Sequence, residues 1–374
     1  MDNINDNTVK VVFFSLLLDL LAFTMILPLL PALLDHYKVL SNKGLYSMIS
    51  HHVQSLRILL NAPDKIDTVL YGGFLGSMYS FLQFISSPIT GALSDTYGRK
   101  PLMILCLTVG PMIGAFFAWI SSGNRNETWY IAPALFASLL AASNLLYVIY
   151  NLKESLPVKY RTKTILSGMV KSVIYINPID LFQFTSVSGL NDKEQHNLKM
   201  LGRTYFVYLF IYSGLEFTLT FLTHHIFEFS SMQQGWMFLG IGLTMAILQG
   251  GWVRRVPSHK TKSVAELGLW LIIPAFVFIG LAKNTMMLYL GIFLFAVSTA
   301  MVVTCMMTLV TKIGPEHQKG TITGIFRSLG ALARASGPIV ASAGFWYFGS
   351  TTTYLTGAVF LLLPPFILHI MKPL

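Results

Sequence analysis

An all-α membrane protein of about ten transmembrane helices, four in a first bundle and six in a second, is the architecture this sequence predicts. Three observations predict it. Of 374 residues, 54% are hydrophobic and 11% charged, where a soluble chain carries about a quarter charged residues; the mean hydropathy is +0.62. The apolar residues come in runs of about 20, enough at ~1.5 Å per residue to cross a hydrocarbon core of ~30 Å. Amides in lipid must be satisfied within their own segment, so such runs read as helices.

The expected spans are 11–33, 68–90, 102–120, 129–149, 204–224, 234–253, 267–281, 286–308, 320–347 and 353–370. The first is expected as a retained span, since it contains Asp19 and two prolines and has no small-residue cleavage site. With a cytosolic N-terminus, eighteen lysines and arginines fall on inner loops and six on outer ones, with Arg327 and Arg334 inside a span. The positive-inside bias then puts both termini in the cytosol. The formal charge of +10 therefore orients the chain, and nucleic acid is not an expected partner. Asn126-Glu127-Thr128 is a glycosylation sequon on a short outer loop, and Cys106 and Cys305 lie within apolar runs. No metal spacing, phosphate loop or nucleophile constellation is present, so no cofactor and no enzyme are expected.

Residues 151–202 are the longest polar interval. They read as a basic cytosolic loop with amphipathic pieces such as Tyr175 to Phe184, separating a first bundle (1–150) from a six-helix bundle (203–374). The halves echo each other: LLLDLLAFTM answers YSGLEFTLTF, pairing Asp19 with Glu216, and Gly110-Pro111 answers Gly337-Pro338. Shared order argues for a duplicated bundle. The echo also exposes a gap. From Gly91 to Gly110 is 19 residues, whereas from the corresponding Gly251 to Gly337 is 86, so the first half is about 67 residues short. That is two helices and their connections.

The stretch GALSDTYGRKP, after the second run, resembles the G-x-L-x-D-[RK]-x-G-[RK]-[RK] signature of the major facilitator superfamily, with Thr96 where a basic residue is usual. LLLDLLAFTMILPLLPALL, FTLTFLTHHIFEFSSMQQG and GTITGIFRSLGALARASGPIVAS further resemble its animal tetracycline-transporter-like branch. The resemblance implies a two-bundle secondary transporter fold, here with 4 + 6 helices instead of 12. It also implies alternating access to a central cavity, and small organic anions or drugs as cargo. The superfamily's fourth-helix arginine motif has no counterpart here.

Within that frame four groups of residues are candidates. Gly91, Asp95, Gly98 and Arg99 form a gating motif, with glycines permitting close approach and a tight turn. By resemblance, the Asp95 carboxylate faces a helix N-terminus beginning near Gly320; Lys100 reads as an orientation signal. Asp19 and Glu216 are carboxylates at span depth, which need water or a partner there. They can handle protons or counter-charge, or merely bond a neighbouring helix. Arg327 and Arg334 lie seven residues apart on one helix face. They can contact an anionic substrate, or pair internally with Asp19 and Glu216, and Arg327 can reach headgroups. Gly110, Pro111, Gly337 and Pro338 are expected at helix bends or close contacts. His224 and His225 read as interfacial, and Tyr79 and Gln83 as cavity lining. The competing expectation is a non-transporting shortened isoform, degraded or paired with a full-length chain. Oligomeric state is not legible.

Overall fold

The computed structural model describes residues 10–19, 67–108, 131–154, 178–185, 189–314 and 319–371, with eight single positions besides (8, 34, 50, 51, 54, 55, 58 and 187). The expected join around Gly110-Pro111 and the Asn126 sequon lie outside the described residues. All regular elements among the described residues are helical. They are α1 (Asp67–Tyr97), α2 (Ile131–Asn151), α3 (Pro178–Gln183), α4 (Asp192–His225), α5 (Ser231–Ile247), α6 (Thr261–Leu281), α7 (Thr285–Thr311), α8 (Lys319–Phe348), α9 (Ser350–Phe360) and α10 (Leu363–Ile370). Residues 10–19 and 99–108 are helical as well.

Among the described residues, five helical stretches are long and apolar enough to cross a membrane: Asp192–His225, Ser231–Arg255, Ser258–Leu281, Thr285–Thr311 and Ser350–Ile370. α8 is not among them by apolarity, but its 30 residues extend about 45 Å at 1.5 Å per residue, and it carries Arg327 and Arg334. Each expected span of the second half thus falls on a helix. α4 begins well before residue 203, because a cap starts it: the Asn191 N–H donates to Glu194 Oε2 at 3.0 Å. Asp192 and Glu194 at its start and His224 and His225 at its end complement the helix dipole. α5 starts on a reciprocal box, with Ser230 N–H donating to Gln233 Oε1 and Gln233 N–H to Ser230 Oγ. α7 starts where Asn284 Oδ1 accepts the Met287 N–H at 2.9 Å.

The chain divides into two compact units. One comprises Met1–Leu33 and Ser87–Val173. In it Gly98 takes φ 108°, a conformation that costs glycine nothing. The next helical stretch is then capped by one carboxylate. Glu154 accepts the Arg99 N–H (3.1 Å) and the Lys100 N–H (3.2 Å), while Lys100 Nζ donates to the Ile149 carbonyl (2.9 Å).

The other unit comprises Leu34–Ser86 and Ile174–Leu374. Lipid tails are as apolar as leucine, so its helices associate through close backbone approach and polar contacts. α4 and α8 meet where a Cβ on Gly337 would overlap the Phe210 carbonyl oxygen and Ser213 Oγ, and one on Gly214 would press on Ala341. The start of α1 joins them: a Cβ on Gly73 would overlap Ser342 and the Pro338 carbonyl oxygen, and Ser77 Oγ accepts the Ile339 N–H at 3.0 Å. α6 and α7 close over Gly268 and Gly291, with Ser298 Oγ donating to the Gly268 carbonyl at 2.7 Å. α9 is tied in by Thr218 and Tyr354, whose hydroxyl oxygens lie 3.0 Å apart. The chain after α10 is held by Lys262 Nζ, which donates to the Met371 carbonyl at 2.8 Å. α3 seats Leu181 and neighbouring Phe184, both buried, and leaves Ile179 exposed, an amphipathic pattern.

Candidate functional site

Three helices of the second unit build the candidate site. On α4, Tyr205, Tyr208, Tyr212 and Glu216 recur at i, i+3, i+7 and i+11, so they share one face. On α8, Arg327, Gly330 and Arg334 follow at i, i+3 and i+7. Gly330 lets α8 approach that face, since a Cβ there would come within 3.0 Å of Leu209 and Tyr205. α7 contributes Phe295, Ser298 and Thr299.

The rings are fixed by stacking. Tyr205 lies on Phe326 (centroids 4.1 Å, 15°) and Tyr212 on Phe295 (5.0 Å, 1°), with Tyr208 stacked on Tyr212 at 5.6 Å. The Tyr212 hydroxyl donates to Glu216 Oε1 at 3.2 Å. Arg334 lies within electrostatic reach of the Glu216 carboxylate, and both guanidiniums lie within reach of Tyr205. Neither forms an ion pair within 4 Å to a carboxylate among the described residues. By surface accessibility Glu216 and Arg327 are exposed and Arg334 is half-buried. A guanidinium at span depth costs about 2.5–3.5 kcal/mol even on lenient insertion scales. Two of them without a bonded carboxylate call for water or an anion.

The sequence alone singled out the ends of this arrangement and missed its middle. Glu216, Arg327 and Arg334 come together in one unit. Tyr205, Tyr208, Tyr212 and Thr299 were not singled out, although YFVYLFIYSGLE carries tyrosines at helical spacing ahead of the glutamate. Asp19, pseudo-equivalent to Glu216, is exposed at the end of helical residues 10–19 in the first unit. Gly91 and Asp95 lie on the last turns of α1, which runs on to Tyr97, so the chain turns at Gly98. Gly98 is buried and the Arg99 side chain exposed. Gly337 and Pro338 are buried inside α8, which continues through both. His224 and His225 are half-buried, their rings 4.9 Å apart. Tyr79 and Gln83 are exposed on α1. No group of three or more histidines, cysteines and carboxylates that could hold a metal occurs among the described residues.

Comparison with known proteins gives the family of the chain. The family model described as Major Facilitator Superfamily matches residues 12–179 and 107–338. The chain is 37% identical to Major facilitator superfamily domain-containing protein 10 of Homo sapiens, over 96% of this chain and 92% of that one. It is 20% identical to Tetracycline resistance protein, class B, of Escherichia coli, over 90% of this chain and 88% of that one. A crystal structure described as the human organic anion transporter MFSD10 (TETRAN) superposes with a TM-score of 0.83 at 36% identity. It covers 97% of this chain and 99% of that chain. With its helices, signature loop and relatives in agreement, this chain belongs to the major facilitator superfamily of membrane transporters.

Proposed function

We propose that this chain moves small organic anions or amphipathic drugs across a membrane by alternating access, coupled to protons or to a second anion. The observation that carries the reading is the pair Arg327 and Arg334, two guanidiniums with no bonded carboxylate among the described residues, on the helix opposite Glu216. Arginine stays charged at any physiological pH and its fork matches a carboxylate or sulfonate. Arg334 and Arg327 contact the anion; Glu216, with Asp19 in the first unit, handles the proton or counter-charge. The superposing human structure is described as an organic anion transporter, which supports the same cargo class. Gly91, Asp95, Gly98 and Arg99 act as the gate on the cytosolic side, where both termini lie by the positive-inside bias. Gly337 and Pro338 inside α8 are where that helix flexes, and Gly110 and Pro111 take the same role in the first half.

A second reading concerns the first half. The alignment with the human relative runs over 420 positions, more than the 374 residues of this chain. An alignment longer than the chain holds gaps opposite residues of that relative, and we place them in the first bundle from the internal repeat alone. On that reading the chain is a shortened isoform that does not transport by itself.

Flux of a labelled organic anion into reconstituted vesicles, with and without a pH gradient, tests both. It is measured for this chain and for one with about 67 residues restored between Gly91 and Gly110. Equal flux removes the silent-isoform reading; no flux from either removes the transporter. Arg334→Gln is expected to raise the half-saturating anion concentration about tenfold, the size of one charge-assisted contact. Unchanged substrate dependence rejects its role.

A further inference from the structure

The Tyr212 phenol stands between two acceptors, and only one of them is in use. Its ring cannot tilt freely because it lies flat on Phe295. Its O–H donates to Glu216 Oε1 at 3.2 Å, a bond within α4. The Thr299 hydroxyl of α7 lies beside the same phenol. Thr299 Oγ1 donates its own proton to the Phe295 carbonyl at 2.7 Å. Its oxygen lone pairs therefore remain available as acceptors. One turn back, the fully buried Tyr208 hydroxyl lies beside Ser298 and Thr299.

We infer that Tyr212 is a relay between the protonation of Glu216 and the position of α7. With Glu216 ionised, Tyr212 donates to the carboxylate and leaves Thr299 alone. When Glu216 takes up a proton, its O–H becomes a donor toward Tyr212 Oη. The phenol hydrogen then swings to Thr299 Oγ1, and α4 gains a hydrogen bond to α7. No covalent bond changes beyond the proton that Glu216 binds, and Tyr212 keeps one O–H throughout. It is a positioning residue: it acts on α7 through Thr299.

The surroundings make Glu216 the group that decides. Among the described residues, Tyr212 and Tyr208 on its own helix and Arg334 on α8 face it. α7 carries no charged side chain along its length, and neither does α5. The charged residues of α6, Lys262 and Glu266, sit at its start beside the chain end after α10.

This inference rests on the proposed role of Glu216 in coupling, and its test does not need transport. Infrared difference titration of the purified full chain in detergent follows the carboxylic C=O stretch of protonated Glu216, identified by its loss in Glu216→Gln. Two substitutions are expected to move its midpoint in opposite directions. Tyr212→Phe removes a donor to the ionised form, so the midpoint moves to higher pH. Thr299→Val strands the phenol hydrogen in the protonated form, so the midpoint moves to lower pH. Each shift is expected to be about one pH unit, the size of one hydrogen bond to a charged group. Thr299→Ser keeps the acceptor and is expected to restore the midpoint. The double variant Tyr212→Phe with Thr299→Val is expected to match Tyr212→Phe alone, since Thr299 acts only through the phenol. Shifts in the same direction, an inert Thr299→Val, or the absence of a titrating Glu216 band each overturn the relay. Opposite shifts in a chain that carries no anion flux leave the relay standing and reject the transport reading instead.

Discussion

Two helices that follow one another in the second unit have the same hydropathy and opposite fates. The spans Asp192–His225 and Ser231–Arg255 both average 1.4, yet 67% of the first window is buried inside the protein and 17% of the second. Apolarity takes a helix into lipid; it does not decide what the helix packs against. Glycine content does not decide either. Gly202 and Gly214 on α4 touch neighbours closely, whereas Gly235, Gly240 and Gly242 on α5 have no described atom within 4 Å of an added Cβ. What distinguishes α4 is a partner with small residues in the matching places: Gly330, Gly337 and Ala341 on α8. It also has hydroxyls that find acceptors across helices, as Thr218 does with Tyr354. Gln234 is the point where α5 is anchored to α4, its Nε2 donating to the Thr220 carbonyl at 3.0 Å.

The largest effect is expected where this contrast is sharpest. At Gly337 the obstacle to a side chain is the Phe210 backbone carbonyl, which cannot step aside as a flexible side chain would. Gly337→Val is expected to separate α4 from α8 and destabilise the fold by about 3 kcal/mol, the upper end of overpacking. Thermal unfolding in detergent, followed by helical circular dichroism, reads it. A midpoint unchanged from the parent chain would break the claim that close backbone approach holds this pair.

How much of this was legible in the sequence follows from the same physics. Span existence and number in the second half were legible, because hydropathy integrates over about 20 residues and tolerates local error. The start of α4 was not, because the polar run before residue 203 looks like loop until the Asn191–Glu194 cap is weighed against it. Arg327, Arg334 and Glu216 were legible because charge inside an apolar run is costly and therefore conspicuous. Their neighbours were not. Tyrosine is apolar enough to pass as packing, so the face Tyr205, Tyr208, Tyr212 hid among aromatic residues. The Glu154 carboxylate that caps Arg99 and Lys100 lies more than 50 positions away, and no local pattern pairs them.

A smaller and directional effect is expected at the Thr218–Tyr354 contact. Thr218 Oγ1 also donates to the Gly214 carbonyl at 2.9 Å, so it keeps a bond when Tyr354 loses its hydroxyl. Tyr354, 1% exposed, has the Thr218 hydroxyl as its hydrogen-bond partner. Tyr354→Phe is therefore expected to cost about 1 kcal/mol, and Thr218→Val about 2 kcal/mol, since only the second strands a buried hydroxyl. Urea or thermal unfolding of both variants gives the order. The reverse order would mean that the threonine depends on the tyrosine and not the other way round.

The smallest effect is expected on α5, and its sign is the informative part. Gly242 lies in the helix interior with no described atom within 4 Å of where a Cβ would go. Its exposed neighbours Leu239 and Leu243 leave room on both sides. Helical glycine costs about 0.5–1 kcal/mol relative to alanine through backbone entropy. Gly242→Ala should thus raise the unfolding midpoint slightly, where a side chain at Gly337 lowers it strongly. A marked loss of stability on Gly242→Ala would show that the α5 surface is packed in the working protein. Hydropathy-matched α4 and α5 would then differ in their partners and not in whether they have them.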